Sequence, residues 1–127
     1  MANAPMSKTK YDLEERTTSF GKEIIGFSKK IPFSPVTKNL APQLVKSGTS
    51  IGANYCEADD AESRKDFIHK IGICKKEARE TKYWLTMIVE AVPSLKEDAT
   101  LLYKEAKELN LIFNAVTNST RRNKVSR

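Results

Sequence analysis

Apolar positions recur along this chain at alternating intervals of four and three, the spacing of helices that bury one stripe against their neighbours. The first seam is Leu13, Thr17, Phe20, Ile24, Phe27 and Ile31, which predicts a helix from Asp12 to Ile31. Ile31-Pro32 closes it, because proline disfavours helical geometry in the residue before it. Residues 32–38, PFSPVTK, read as a loop, and a second helix is predicted from near Asn39 with the seam Leu40, Leu44, Ser47, Ile51, Tyr55 and Ala58. Its core face is small and polar. Ala41, Val45, Gly48 and Gly52 lie along one flank, and Ser47, Ser50, Asn54 and Glu57 along the other.

Two glycines inside a helix cost about 1 kcal/mol each relative to alanine. Gly48 and Gly52 are spaced to offer a groove to a closely approaching backbone, which favours a continuous helix; a break near 48–52 is the alternative, since Ser, Thr and Gly are poor helix formers. The acidic run Glu57, Asp59, Asp60 and Glu62 then precedes a third helix, where negative charge is favoured. Ser63-Arg-Lys-Asp66 resembles a capping box with Ser63 as N-cap. The third seam, Phe67, Ile71, Cys74, Ala78, Thr81, Leu85, Ile88 and Val92, predicts a helix about 40 Å long.

That helix carries a second apolar flank, Ile73, Trp84 and Ala91, interleaved with Glu77 and Glu80. One bundle core needs one stripe, so the second marks a face for subunit or partner association. Pro93 breaks the chain, and Ser94-Leu-Lys-Glu97 reads as another capping box. The fourth seam is Leu95, Ala99, Leu102, Ala106, Leu109, Phe113 and Val116, widened by Leu101, Tyr103 and Ile112, and it fades after Asn118. Nothing alternates with period two over a useful length. Four helices joined by short connections predict an all-α, up-down-up-down four-helix bundle in a single domain. The bundle is expected over 11–119, with disorder over 1–10 and a basic tail over 120–127.

A chain of 127 residues can bury a core without metal or disulfide. No apolar run approaches the roughly 18 residues of a membrane span, and MANAPMSKTK has no apolar segment of a secretory signal, so no membrane association is expected and the cytoplasm is the expected location. Cys56 and Cys74 belong to no CxxC pair and are expected as small buried residues in a reducing compartment. The net charge is +6, but residues 121–127 hold four Lys/Arg and no acid, leaving 18 bases against 16 acids in the rest. Residues 22–46 form a second basic region, with Lys22, Lys29, Lys30, Lys38 and Lys46 against Glu23. Such patches attract phosphate backbones, although solvated helix faces look the same.

Catalytic chemistry finds little footing. Asp66-Phe-Ile-His69 sets a carboxylate one turn from the single histidine, whereas di-metal bundles need that pair on two helices together with further glutamates. Glu57, Glu77 and Glu80 can meet if the second and third helices pack antiparallel, but Arg64, Lys65, Lys76 and Arg79 are near enough to pair with them. Ser50 has no His or Asp partner at a recognisable spacing, and SGTSIGAN lacks a Walker lysine. No enzyme, cofactor or metal is expected. Asn54, with Ser50, Glu57 and Glu77, is expected in a structural polar network that fixes helix register.

The segments Ser47-Gly-Thr-Ser-Ile-Gly-Ala-Asn54, Glu57-Ala58, Ala61-Glu-Ser-Arg-Lys-Asp-Phe-Ile68 and Lys76-Glu-Ala-Arg-Glu-Thr-Lys-Tyr-Trp-Leu85 resemble the four-helix-bundle proteins named for intervening sequences in bacterial 23S ribosomal RNA genes. The resemblance implies a bacterial cytoplasmic protein, a left-handed bundle and a ring-like homopentamer. That family is similar to the accessory variability determinant of diversity-generating retroelements, a basic pentameric bundle associated with nucleic acid. The positions matching the family's signature are Ser50, Ile51, Asn54, Glu57, Phe67 and Glu77.

Two functions follow as expectations. The first is RNA or DNA binding by a homo-oligomer through repeated basic patches, without sequence readout; the candidate residues are Arg121, Arg122, Lys124 and Arg127, then Lys29, Lys30 and Lys38. The second is a protein-interaction or scaffold module that docks a partner or a neighbouring subunit through Ile73, Trp84 and Ala91.

Overall fold

The computed structural model describes residues 10–125, with side chains over 13–122. The described residues form four α-helices and no strand: α1 (Lys10–Ser28), α2 (Thr37–Asp59), α3 (Arg64–Ala91) and α4 (Lys96–Val125). The expectation of disorder over 1–10 lies outside the described residues except at Lys10, which opens α1.

All four seams are buried. Phe20, Ile24, Leu44, Ile51, Ile71, Leu85, Ile88, Leu109 and Phe113 lose essentially all solvent contact, and Ile31, Leu40, Phe67, Leu95 and Val116 pack around them. The stripe on α4 is narrower than its sequence suggests. Ile112 packs on the core, whereas Leu101 and Tyr103 are exposed.

Neighbours in sequence are neighbours in space: α2 packs most extensively on α3, then α3 on α4 and α1 on α2, while α1 and α4 share the shortest contact. Between α2 and α3 the register is fixed by three polar contacts. Lys70 Nζ donates to Glu57 Oε1 (2.6 Å), the Cys74 thiol to the Ile51 carbonyl (3.6 Å), and Thr81 Oγ1 to Ser47 Oγ (3.0 Å). Arg16 clamps Glu105 from α1 to α4, Nε to Oε2 at 2.7 Å and Nη2 to Oε1 at 2.9 Å, and Lys30 meets Asp98 at 2.8 Å. Across the core Tyr55 stacks on Phe113, with ring centroids 6.5 Å apart.

Helix α2 is continuous through both glycines. A Cβ at Gly48 would lie 2.7 Å from Ile24 Cγ1, and one at Gly52 would lie 3.3 Å from the Thr17 carbonyl oxygen. The small residues therefore admit α1, one side chain over Gly48 and its main chain over Gly52.

The ends of the elements depart from expectation in three places. Ser34 holds the turn that leads into α2: its Oγ accepts from the amides of Val36 and Thr37, and Lys38 N donates to the Ser34 carbonyl. Pro35 lies in that turn, before the first helical residue, so its missing N–H breaks no helical bond. The helix thus begins at Thr37, two residues before Asn39. Ser63 caps α3 as expected, accepting from Asp66 N. Ser94 does not open α4; it lies inside a 3₁₀ turn, Pro93–Leu95. Finally, α4 continues through the tail to Val125, with Thr120 Oγ1 bonded to the Val116 carbonyl, so the basic residues after Asn118 extend a helix. No helix among the described residues is long and apolar enough to cross a membrane.

Candidate nucleic-acid interface

The cations singled out by sequence fall into two groups, which the fold separates. Lys29 and Lys30 follow α1, and Lys38 lies in the first turn of α2; all three are exposed, and Lys30 is engaged with Asp98 at the start of α4. Arg121 and Arg122 are exposed on the last turns of α4, about 35 Å along that helix from Asp98. Lys124 belongs to α4, but its side chain lies outside the described residues, as does Arg127 altogether. Arg121 and Arg122 make no ion pair among the described residues.

A third set of cations was missed. Lys75, Arg79 and Lys82 follow one face of α3 at intervals of four and three, and Lys96, Lys107 and Arg121 fall on one face of α4. The two faces adjoin: Lys82 Nζ lies 5.8 Å from the centroid of the Tyr103 ring, and a cleft of about 290 Å³ between α3 and α4 is lined by Leu85, Thr86, Val89, Glu90, Lys96, Ala99, Thr100 and Tyr103. The signal was available, since the basic residues keep helical register with an exposed tyrosine on each helix.

The residues expected to share a polar network do not bond to one another through their side chains. Ser50 Oγ donates to the Lys46 carbonyl and Asn54 Nδ2 to the Ser50 carbonyl, both inside α2, while Glu57 pairs with Lys70. The buried link between side chains of α2 and α3 is Thr81 with Ser47. Ser and Asn readily bond their own helix backbone one turn back, which removes the need for a cross-helix partner.

Glu77 is half-buried beside Glu80, and its carboxyl is held above the usual range by burial first and by Glu80 second, with Lys76 and Lys46 opposing. The folded protein therefore holds the Glu77 proton more tightly than the unfolded chain. The cost of ionising Glu77 in place is absent at low pH and grows as pH rises through the raised value. Glu77→Gln is expected to raise the melting temperature at neutral pH by ~1–3 °C, a gain that vanishes below the ordinary carboxylate range of about 4. Thermal melts of both proteins at the two pH values test this. A gain of equal size in acid would exclude ionisation as its cause.

Trp84 and Ile73 are half-buried and Ala91 is exposed; Trp84 rests on the core of its own chain, its ring edge-on to Tyr83. Both cysteines are free, but they differ. Cys74 is buried, and its burial pushes the thiol up to about 12, whereas Cys56 is exposed on α2, contrary to expectation. His69 is exposed, and no group of three or more metal-ligating side chains occurs among the described residues.

An all-helical bundle with buried 4-3 seams, glycine contacts between α1 and α2 and a helical basic C-terminal segment defines the class. Residues 9–115 match the family described as 23S rRNA-intervening sequence protein, and the chain belongs to that family. A solved structure similar to it is a protein of unknown function from the S23 ribosomal protein family of Bacteroides thetaiotaomicron, at 31% identity and a TM-score of 0.77, covering 86% of this chain and 97% of that one. No curated protein matches the chain.

Proposed function

We propose that the protein is a non-enzymatic, homo-oligomeric bundle that binds RNA or DNA in the bacterial cytoplasm through repeated basic patches, without reading sequence. The observation that carries this reading is the helical C-terminal segment: α4 holds Arg121 and Arg122 exposed, without a carboxylate partner among the described residues. Cations fixed on a helix lose less freedom on meeting phosphate than cations on a flexible tail. The contacts Lys70–Glu57, Thr81–Ser47, Arg16–Glu105 and Lys30–Asp98 support an up-down-up-down course, which in this family would be a left-handed bundle. A pentameric ring follows the resemblance, and repeating each basic patch five times would strengthen the local field of a subunit carrying only +6. Docking of a partner through Ile73, Trp84 and Ala91 draws less support, because Trp84 already covers its own core.

The test is binding of fluorescent structured RNA and duplex DNA to the native assembly across a salt series, with particle mass recorded in the same buffers. Log affinity is expected to fall linearly with log salt, and the Arg121/Arg122/Lys124 triple alanine variant to flatten the slope by about 2–3. A triple variant that binds as tightly as the parent would remove the tail from the interface. Absence of binding at low salt would overturn the nucleic-acid reading.

A further inference from the structure

The cations of α3 and α4 lie on either side of a shallow cleft with a tyrosine in it, and this combination suits an unpaired strand better than a duplex. Tyr103 is 40% exposed and Tyr83 55% exposed, large values for rings on helices that also bury a core. The Lys82–Tyr103 contact and the cleft lining fix how the helices face each other: Leu85, Thr86, Val89 and Glu90 on α3 lie against Lys96, Ala99, Thr100 and Tyr103 on α4. Lys107 stands one turn beyond Tyr103 on α4 and Arg79 one turn before Lys82 on α3, and two heptads beyond Lys107, Arg121 continues the same face of α4. From Lys96 to Arg121 the line runs about 37 Å along α4.

Arg79, Lys82, Lys96, Lys107 and Arg121 make no ion pair among the described residues. Glu90 is the single acid in the cleft lining. Charge of this kind recruits phosphates of any nucleic acid. The cleft adds a preference. Above the buried Leu85 and Ala99, its lining offers Val89 and the Tyr103 ring, an apolar surface on which the flat face of a base can stack but which has nothing to offer a duplex, whose base faces are already stacked.

We infer that a single strand of nucleic acid lies along the α3/α4 face, its phosphates on Arg79, Lys82, Lys96, Lys107 and Arg121 and a base seated in the cleft against Tyr103. This rests on the nucleic-acid reading above and names its preferred form and its track. The contacts are to backbone and to base faces, so the strand is held without sequence readout.

The experiment measures binding of labelled oligo(U), oligo(dT) and a duplex of matched phosphate number to the native assembly over a salt series. The proteins are the parent, Tyr103→Ala, Tyr103→Phe and Arg79→Gln/Lys107→Gln. Both single strands are expected to bind about tenfold or more tighter than the duplex. Tyr103→Ala is expected to lose about 5- to 100-fold on the single strands with the salt slope unchanged, and Tyr103→Phe to behave as the parent, since the ring and not the hydroxyl stacks. The double variant should instead flatten the slope by about 1–2. Duplex binding equal to single-strand binding, with Tyr103→Ala unaffected, would overturn the track while leaving the general reading intact. Failure of every probe at low salt would remove both. A changed particle mass in Tyr103→Ala would also overturn the track, by showing that the cleft is a contact between subunits.

Discussion

Gly48→Val is expected to destabilise the bundle by about 3 kcal/mol or more and to lower its melting temperature by about 10 °C or more. The first added carbon would sit 2.7 Å from Ile24 Cγ1, 2.9 Å from Cγ2 and 3.1 Å from Cβ. Those atoms are not the loose end of a flexible chain. Ile24 is fully buried, and Arg16 ties α1 to α4 while Lys30, just past the end of α1, pairs with Asp98, so the helix has little freedom to back away. Gly48→Ala sets two effects against each other. Alanine gains about 1 kcal/mol in helix propensity, and the same Cβ clash opposes it. Valine adds two more methyl groups and loses the propensity gain, so the clash wins. The decisive measurement is a double-mutant cycle with Ile24→Ala, by chemical denaturation. The double variant should be more stable than the sum of the single losses predicts by about 1 kcal/mol or more. Additive losses would mean that Ile24 is not what keeps position 48 small.

Phe113→Ala should have a comparable effect, about 3–5 kcal/mol. Phe113 is wholly buried on α4 and faces Tyr55 of α2 at 6.5 Å with an interplanar angle of 29°, so truncation leaves a void and also ends an aromatic contact across the core. One turn on, the Thr117 hydroxyl is buried without a hydrogen-bond partner among the described residues, and a void nearby would give water a route to it. Leu111→Ala is the control. Leu111 is on the same helix, two residues away and exposed, so its loss should stay within about 0.5 kcal/mol. Equal losses at 111 and 113 would locate the effect in helix formation and not in the core.

The seams were legible because burial follows spacing directly. From Leu13 to Phe27, from Leu44 to Ala58, from Ile71 to Ile88 and from Ala99 to Phe113, every seam position is buried. The groove at Gly48 and Gly52 was legible for a related reason, since two helix-weakening residues one turn apart require compensation. What failed were features decided by local bonding. Pro35 lies in a loop as expected, but the start of α2 falls two residues before Asn39, because the bonds of Ser34 Oγ to the Val36 and Thr37 amides leave no trace in the apolar pattern. The tail was set apart from the fourth helix because apolar periodicity fades after Asn118, yet Thr, Arg and Lys can extend a helix that is already nucleated.

The interface was less legible for a physical reason. Asn54 and Ser50 were placed on the correct flank, but a flank does not disclose whether a hydroxyl or amide bonds across to a neighbour or back to its own carbonyls. Cys56 was misplaced because it lies about 100° from Tyr55 on the wheel, beyond the edge of the seam. Helical register alone shows Arg79 and Lys82 on one face of α3 and Lys107 and Arg121 on one face of α4; that the two faces adjoin emerges only when Lys82 and Tyr103 fix how α3 and α4 face each other.

The order of contacts also bears on how the chain reaches this state. Apart from the short α1–α4 seam, every extensive helix contact joins elements adjacent in sequence, so most of the structure can form with little loop-closure entropy. A chain with such local contacts belongs among fast folders, on the microsecond-to-millisecond scale. The long-range step is the meeting of Arg16 with Glu105, residues 89 apart in the chain. The first and last helices are therefore expected to close upon each other late, and that seam to be the first to part when the protein opens.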